Sequence, residues 1–225
     1  MAFRSLKGRS ILEARDKTEL AKALRAGLTC SSHSLTSGGR RRYFIDLQRV
    51  LCDLKKAELI VSKLVEYVFD LKEELRVDRL AFIDISAQGP SGLVPCQVAV
   101  SLETGIPAVT IRPEKRLFAS QVVGDVMPGD RVLFLCDVLT TGHSLASAYA
   151  IVARRQAKPV RALFVYESDG GRINLEAVGI ESASFIDKVA FDEENPDLSP
   201  SDREALLEPE PWNEVDLVPV LAGQI

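Results

Sequence analysis

The sequence predicts an α/β protein with a doubly wound, mostly parallel β-sheet. Short apolar runs alternate with helical patterns of ten or more residues, which favours strands joined by right-handed crossovers. Polar, glycine-bearing segments follow the apolar runs, where ligands bind in such sheets. We expect a main domain over residues 1–190, with a small N-terminal hood at about residues 27–50. An acidic, proline-containing C-terminal extension is expected over residues 191–225.

Bulk composition excludes several classes of protein. The chain has 225 residues, 46% of them hydrophobic, and a formal net charge of −4. This content supports a packed core, and the charge gives no general attraction to nucleic acid or to anionic membranes. No apolar stretch approaches the ~18 residues of a membrane span. We therefore expect a soluble, cytoplasmic protein without nucleic-acid or membrane partners. The four cysteines are widely spaced, which argues against a metal site or disulfides.

The first third of the chain predicts two helices and one strand. Apolar residues spaced among charges favour an amphipathic helix over residues 10–26, which Gly27 ends. Tyr43–Asp46 has the composition of a short strand, and residues 54–75 show helical periodicity.

The remainder predicts alternating strands and helices around one long loop. Strands are expected at residues 80–84, 108–111, 131–136, 160–166 and 184–191. Helices are expected at residues 95–103 and 145–157, and residues 112–129 are expected to be mostly loop.

Residues 132–144 carry the most specific functional pattern. They read Val-Leu-Phe-Leu-Cys-Asp-Val-Leu-Thr-Thr-Gly-His-Ser, a buried strand that leads through a hydroxyl- and glycine-bearing turn into a helix. Converging backbone N–H groups and the helix dipole favour a bound phosphate there. Asp137, at the carboxyl end of the strand, can accept hydrogen bonds from sugar hydroxyls. The pattern therefore indicates a phosphorylated sugar as ligand.

This segment resembles the phosphoribosyl pyrophosphate (PRPP) signature of type I phosphoribosyltransferases. That signature is a hydrophobic strand, usually two acidic residues, an apolar pair and Thr-x-Gly-x-Ser/Thr. The resemblance extends over roughly residues 15–180 and follows the orotate phosphoribosyltransferase branch. Residues 35–46 match the hood segment of that branch, residues 91–95 its pyrophosphate loop, and residues 105–112 the strand before the catalytic loop. Residues 124–132 match the linker into the signature, and residues 165–171 match the strand after it.

The resemblance implies a fold, a reaction and a set of site residues. It implies the type I phosphoribosyltransferase fold, a homodimer, and Mg²⁺ held through PRPP, with Asp137 as the one protein group that could reach the ion. The implied catalytic residues are Asp137, Arg116 and Lys115. The implied PRPP-binding residues are Asp137, Val138, Thr140, Thr141, Gly142, His143, Ser144, Gly89, Ser91, Gly92, Leu93 and Arg112. The implied base-binding residues are Thr36, Phe44 and Ile45.

The chain departs from the family pattern at several positions. Cys136 replaces the first acid of the signature, Pro113 replaces the lysine after the strand arginine, and Leu93 replaces a glycine of the pyrophosphate loop. Two functions stay open. One is transfer of ribose 5-phosphate from PRPP to an orotate-like base. The other is a catalytically impaired protein that binds PRPP or a nucleotide as a sensor or regulator. An unrelated α/β nucleotide binder is a third alternative, although Walker A and Rossmann glycine patterns are missing from the sequence.

Overall fold

A computed structural model describes residues 12–29, 33–34, 40–41, 44–85, 92–113, 120–168 and 171–198. Its centre is a six-stranded sheet in the order β10-β9-β8-β5-β6-β7. All neighbouring strands are parallel except β7, which pairs antiparallel with β6. The predicted doubly wound α/β fold is therefore confirmed.

The described strands of the six-stranded sheet lie in the second two thirds of the chain. They are β5 Arg79–Ile83, β6 Ala108–Ile111, β7 Val122–Val123, β8 Arg131–Leu139, β9 Lys158–Glu167 and β10 Ser182–Asp187. The shorter strands near the N-terminus form two antiparallel pairs, β1 with β4 and β2 with β3. They are β1 Leu28–Thr29, β2 His33–Ser34, β3 Arg40–Arg41 and β4 Phe44–Ile45.

The described helices cover both faces of the sheet. They are α1 Ala14–Arg25, α2 Leu47–Leu51, α3 Leu54–Leu75, α4 Gln97–Thr104, α5 His143–Arg154, α6 Gly171–Ala177 and α7 Lys188–Glu194, with a 3₁₀ turn at Val94–Cys96 before α4. Aspartates cap several of them: Asp46 accepts from Gln48 N, and Asp187 accepts from Ala190 N at 2.8 Å. These caps satisfy N–H groups that a helix start leaves without partners.

Two apolar cores flank the sheet. Helices α1, α3, α4 and α7 pack on one face, where Phe82 and Leu135 lie. Helices α5 and α6 pack on the other face, where Phe134 lies. Strand β6, which follows β5 in the sequence, lies on one side of β5 in the sheet, and β8 lies on the other side of β5. The strand order thus reverses between β5 and β8, which is where a ligand crevice forms in sheets of this kind.

Several predicted boundaries need correction. The signature strand continues to Leu139, so Asp137 lies within β8 and not beyond its end. The last strand ends at Asp187 rather than at Phe191, because the Asp187 side chain caps α7 and the chain turns into that helix. Helix α2, helix α6 and strand β7 were not expected, and each is seven residues or shorter, too short for a periodic pattern to show.

The start of the predicted extension packs into the core. Phe191 is fully buried and its ring lies 5.5 Å from that of Tyr166, while Leu198 is 8% exposed. Arg25 in α1 pairs with Asp197 through both of its terminal nitrogens. Residues 199–225, which make up the rest of the predicted extension, lie outside the described residues. No helix among the described residues has the length and apolar character to cross a membrane.

Candidate active site

The carboxyl ends of β5, β6 and β8 place several of the predicted site residues at one edge of the sheet. These strands are parallel, with Ile83 beside Ile111 and Phe82 beside Leu135. The residues that follow, Asp84 and Arg112, therefore lie close to the end of β8. This edge contains the strand-order reversal, so the fold itself creates the crevice there.

Asp137 and Gly92 lie in direct contact across this crevice. A Cβ built on Gly92 would come within 2.9 Å of both Cγ and Oδ2 of Asp137. Gly92 also has a φ of +58°, a conformation that side chains other than glycine rarely adopt. The loop after β5 thus approaches the signature carboxylate closely only because residue 92 has no side chain. Two segments separated by more than forty residues in the sequence form one site.

The environment of Asp137 raises its pKa to about 6. Burial is the main cause, since it disfavours the charged form, and the negative charge of Asp46 adds a smaller effect in the same direction. Hydrogen bonds from backbone N–H groups, including that of Val138, partly oppose the shift. Asp137 as a residue is half-buried, so a ligand can approach a residue whose carboxylate the protein solvates poorly.

The phosphate turn, defined as Thr140–Ser144, connects β8 to α5. Gly142 is the N-cap residue of α5 with a φ of +82°, and the Thr141 hydroxyl accepts from His143 N at 3.5 Å. Thr141 is 4% exposed. A left-handed residue next to a helix N-terminus makes successive N–H groups converge, which is the backbone geometry of an anion site.

A polar segment after β9 packs against the phosphate turn, and the sequence did not indicate it. Ser168 donates to Leu139 O from both its backbone N and its hydroxyl, each at 2.9 Å. Asn174 Nδ2 donates to Thr141 O at 3.0 Å. Gly171 contacts Thr140 O so closely that a Cβ would not fit. The available signals were a Gly-Gly pair whose second residue begins α6 and an Asn between two apolar residues, both too common to predict this contact.

Arg112 and Asp84 form an ion pair at the tips of adjacent strands. Arg112 Nε donates to Asp84 Oδ2 at 2.9 Å, with side-chain exposures of 26% and 9%. Arg112 N also donates to Gln121 O, which fixes the backbone at the start of the loop. The arginine is therefore held in a defined position at the same edge as Asp137.

Cys136 points away from the crevice. Its side chain is 4% exposed and belongs to the core under α5. Burial raises the pKa of the Cys136 thiol well above its usual value, so it remains a neutral, packed side chain. Asp137 is thus the single carboxylate that β8 presents at this edge.

The other predicted residues divide into three groups. Leu93 is 2% exposed and Ile45 1% exposed, and both side chains lie in the core. Ile45 therefore contributes to the core and offers no surface to a base in this structure. Phe44 lies in β4, with its side chain outside the described part of the structure. The remaining predicted residues fall outside the described ranges: Thr36, Gly89, Ser91, Lys115 and Arg116.

The fold is that of phosphoribosyltransferases. An orotate phosphoribosyltransferase from Aeropyrum pernix superimposes with a TM-score of 0.64 at 24% identity, covering 80% of this chain and 99% of that one. A UMP synthase from Leishmania donovani gives a TM-score of 0.65 at 20% identity, covering 84% of this chain and 41% of that one. At these identities the likeness shows the fold alone.

Sequence relatives identify the family. An orotate phosphoribosyltransferase of Pyrococcus abyssi is 34% identical over 151 residues, which cover 65% of this chain and 78% of the relative. One from Thermococcus gammatolerans is 33% identical over 175 residues, covering 76% of this chain and 80% of the relative. No family model matches the chain. The chain belongs to the orotate phosphoribosyltransferase family.

Proposed function

We propose that this protein transfers ribose 5-phosphate from PRPP to orotate or a related pyrimidine and releases pyrophosphate. In this reaction the bond from C1 of the ribose to the pyrophosphate oxygen breaks, and a bond from C1 to a ring nitrogen of the base forms as that nitrogen loses its proton. The observation that carries the proposal is the contact of Asp137 with Gly92 beside the phosphate turn. It supports the proposal because it brings together the carboxylate, the loop and the turn to which we assign the ribose, the pyrophosphate and the 5-phosphate.

Each part of this edge has a task in the proposed reaction. The N–H groups of the phosphate turn bind the 5-phosphate, and ionised Asp137 accepts hydrogen bonds from the ribose hydroxyls. Arg112 binds the pyrophosphate, whose negative charge grows as the C1–O bond breaks. Lys115 and Arg116 add positive charge to the transition state. The same groups thus hold the substrate and stabilise its leaving group.

Magnesium fits this arrangement through the substrate. Among the described residues, no group of three or more His, Cys, Asp or Glu side chains is placed to bind a metal ion. Mg²⁺ typically binds through one or two carboxylates together with substrate phosphates, and Asp137 is a partly accessible carboxylate at this edge. When bound, the ion neutralises charge on the leaving pyrophosphate. PRPP oxygens and Asp137 would hold it.

We further propose a homodimer in which the loop with Lys115 and Arg116 reaches the partner's site. Helix α4, next to the pyrophosphate loop, exposes two large apolar side chains, Val98 at 67% and Leu102 at 77%. Apolar residues that share one exposed helix face are typical of a surface covered by another chain.

PRPP binding without turnover is the second candidate function. The buried, neutral Cys136 favours it, because the site then has one carboxylate where the family signature has a pair. Binding of ribose 5-phosphate groups would persist while catalysis is impaired. Both candidate functions use PRPP as the ligand, and they differ in whether the protein catalyses the transfer reaction.

Release of pyrophosphate distinguishes the two candidates. Purified protein is incubated with PRPP and Mg²⁺, with and without orotate, and pyrophosphate is measured with a coupled enzyme. The proposed function predicts release that depends on orotate and saturates with it. PRPP binding without release for orotate, uracil or other pyrimidines would support the second candidate. A protein that binds neither PRPP nor a nucleotide would contradict both.

A further inference from the structure

The residues that follow β9 form an outer wall against the phosphate turn. We call Ser168, Gly171 and Asn174 the brace. The brace contacts three consecutive carbonyl groups, two of them through side chains and the third at a glycine, which has no side chain. Ser168 donates hydrogen bonds to the carbonyl of Leu139, and Asn174 donates to the carbonyl of Thr141. Gly171 contacts the carbonyl of Thr140.

Because peptide bonds are planar and trans, these contacts with carbonyl groups also fix the directions of the neighbouring N–H groups that face the proposed ligand. In a trans peptide the C=O of one residue and the N–H of the next point in opposite directions, and no described peptide bond is cis. When the three carbonyls face the brace, the N–H groups of Thr140, Thr141 and Gly142 face the opposite side. None of these three N–H groups donates to another described residue. The brace therefore orients three neighbouring donors away from itself, to the side of the turn where we place the proposed ligand.

We propose that Asn174 is a positioning residue for the 5-phosphate site. It never touches the ligand, and it acts by fixing the peptide between Thr141 and Gly142 so that the Gly142 N–H points at the phosphate. Burial supports a defined role, because Asn174 is 8% exposed and its amide donates to the turn itself. The inference rests on the proposed function, since it assigns the phosphate turn to the 5-phosphate of the substrate.

The structure supplies a matched control at another position. Asn195 is 1% exposed, and its Nδ2 donates to the carbonyl of Phe191 at 2.8 Å. It makes the same type of buried bond, but at the C-terminal end of α7, away from the phosphate turn. Asn174→Asp and Asn195→Asp each replace an amide donor by a group of similar shape that repels a carbonyl oxygen when ionised. Both should lower the melting temperature.

Ligand binding separates the two variants. Affinities for ribose 5-phosphate and for pyrophosphate are measured by calorimetry on both variants and on the wild type. We expect Asn174→Asp to weaken ribose 5-phosphate binding about 10- to 100-fold, while pyrophosphate affinity stays within twofold. Asn195→Asp should change neither affinity. Ser168→Ala removes one donor and keeps the backbone bond to Leu139, so it should retain the fold and weaken ribose 5-phosphate binding by a few-fold.

The outcomes distinguish this inference from the function on which it rests. If the wild type binds ribose 5-phosphate and Asn174→Asp and Ser168→Ala bind it equally well, the inference is wrong and the proposed function stands. Equal weakening of both ligands in Asn174→Asp would also overturn it, since that pattern shows general damage. If Asn174→Asp does not fold, Ser168→Ala decides. A wild type that binds neither PRPP nor ribose 5-phosphate would overturn the proposed function and the inference together.

Discussion

Asp137 combines a functional role with an energetic cost. Its pKa is raised to about 6, chiefly by burial, whereas an aspartate in an unfolded chain titrates near 3.9. The folded protein therefore binds a proton at this site more tightly than the unfolded chain does. In the proposed function ionised Asp137 accepts hydrogen bonds from the ribose hydroxyls, so the state that would function is the state that the surrounding protein disfavours.

Binding of ribose 5-phosphate should weaken as the pH falls through 6. Protonation removes the charged acceptor for the sugar hydroxyls, so the affinity should drop up to about tenfold per pH unit below the pKa of Asp137. Calorimetry between pH 5 and 8, without metal, measures this. The ligand phosphate also titrates in this range, and Asp137→Asn is the control because it keeps only the ligand's contribution. Identical pH profiles for the two proteins would contradict the assignment.

Folding stability should depend on pH in the opposite sense. The folded pKa of Asp137 is raised, so the stabilising contribution is fully present below about pH 4 and is lost as the pH rises through 6. The difference in melting temperature between Asp137→Asn and wild type should therefore move in favour of the variant between pH 4.5 and pH 7.5. Thermal unfolding at these two pH values checks this. A difference that moves toward the wild type would show that the ionised carboxylate is stabilised by its surroundings.

At the residue scale the sequence predicted which residues meet at this edge of the sheet better than it predicted the residues that support them. Asp137, Gly92 and Arg112 were predicted, because each stands in a motif whose residue types carry the chemistry. Ser168 and Asn174 were not, because they act on backbone carbonyls twenty or more residues away and no local pattern encodes such contacts. The burial of Ile45 also depends on packing, which a strand pattern of four residues does not reveal.

The ion pair of Asp84 and Arg112 joins two elements, β5 and β6, at the edge of the sheet that contains the candidate site. Its short distance and low exposure fix the arginine, and the carboxylate reduces the positive charge that the arginine offers to pyrophosphate. The ion pair therefore positions the arginine side chain precisely but weakens its electrostatic attraction for an anionic ligand.

Asp84→Asn should strengthen pyrophosphate binding by a few-fold and destabilise the fold by about 1–3 kcal/mol. The new amide oxygen can still accept from Arg112 Nε, so the arginine stays in place while the opposing charge is removed. Calorimetry with pyrophosphate and urea unfolding measure the two effects. Asp84→Ala, which removes the acceptor as well, is the comparison and should lose the gain in affinity. Weaker binding in Asp84→Asn would show that the carboxylate itself assists the ligand.

At the element scale, elements with a clear sequence pattern over their full length were predicted accurately, whereas elements that depend on tertiary contacts were not. The bounds of α3 and β6 match the prediction because periodicity and apolar runs define them over their full length. Helix α6 contains seven residues, and tertiary contacts rather than propensity stabilise a helix of that length. The extension of β8 beyond Cys136 depends on pairing with β9, which is a property of the sheet and not of the strand's own sequence.

At the scale of the whole molecule, the proposed dimer makes each site depend on two chains. Asp137 then comes from one subunit and Arg116 from the other. The exposed apolar side chains of α4 are the described surface that such a partner would cover. A shared site also explains how a chain of this size can close a polar reaction away from water.

Inactive variants should therefore complement one another. Asp137→Asn and Arg116→Ala are each expected to lose activity, whereas co-expression of the two should restore about a quarter of the wild-type rate, because half of randomly paired dimers contain one intact site. Pyrophosphate release by the purified mixture of co-expressed dimers, compared with wild type at equal total protein, measures this. Co-expression of Asp137→Asn with Asp137→Ala is the control, since no pairing of these variants rebuilds a site. Failure to complement would place each site within one chain.

The central claim is that Asp137 and the adjoining phosphate turn bind the phosphorylated ribose of PRPP. A calorimetric titration of PRPP with Mg²⁺ into wild type and Asp137→Asn tests it most directly. We expect one PRPP per chain, bound about 1–3 kcal/mol more weakly by the variant through loss of charge-assisted hydrogen bonds to the ribose. Equal affinity in the two proteins, or no binding by the wild type, would contradict the claim.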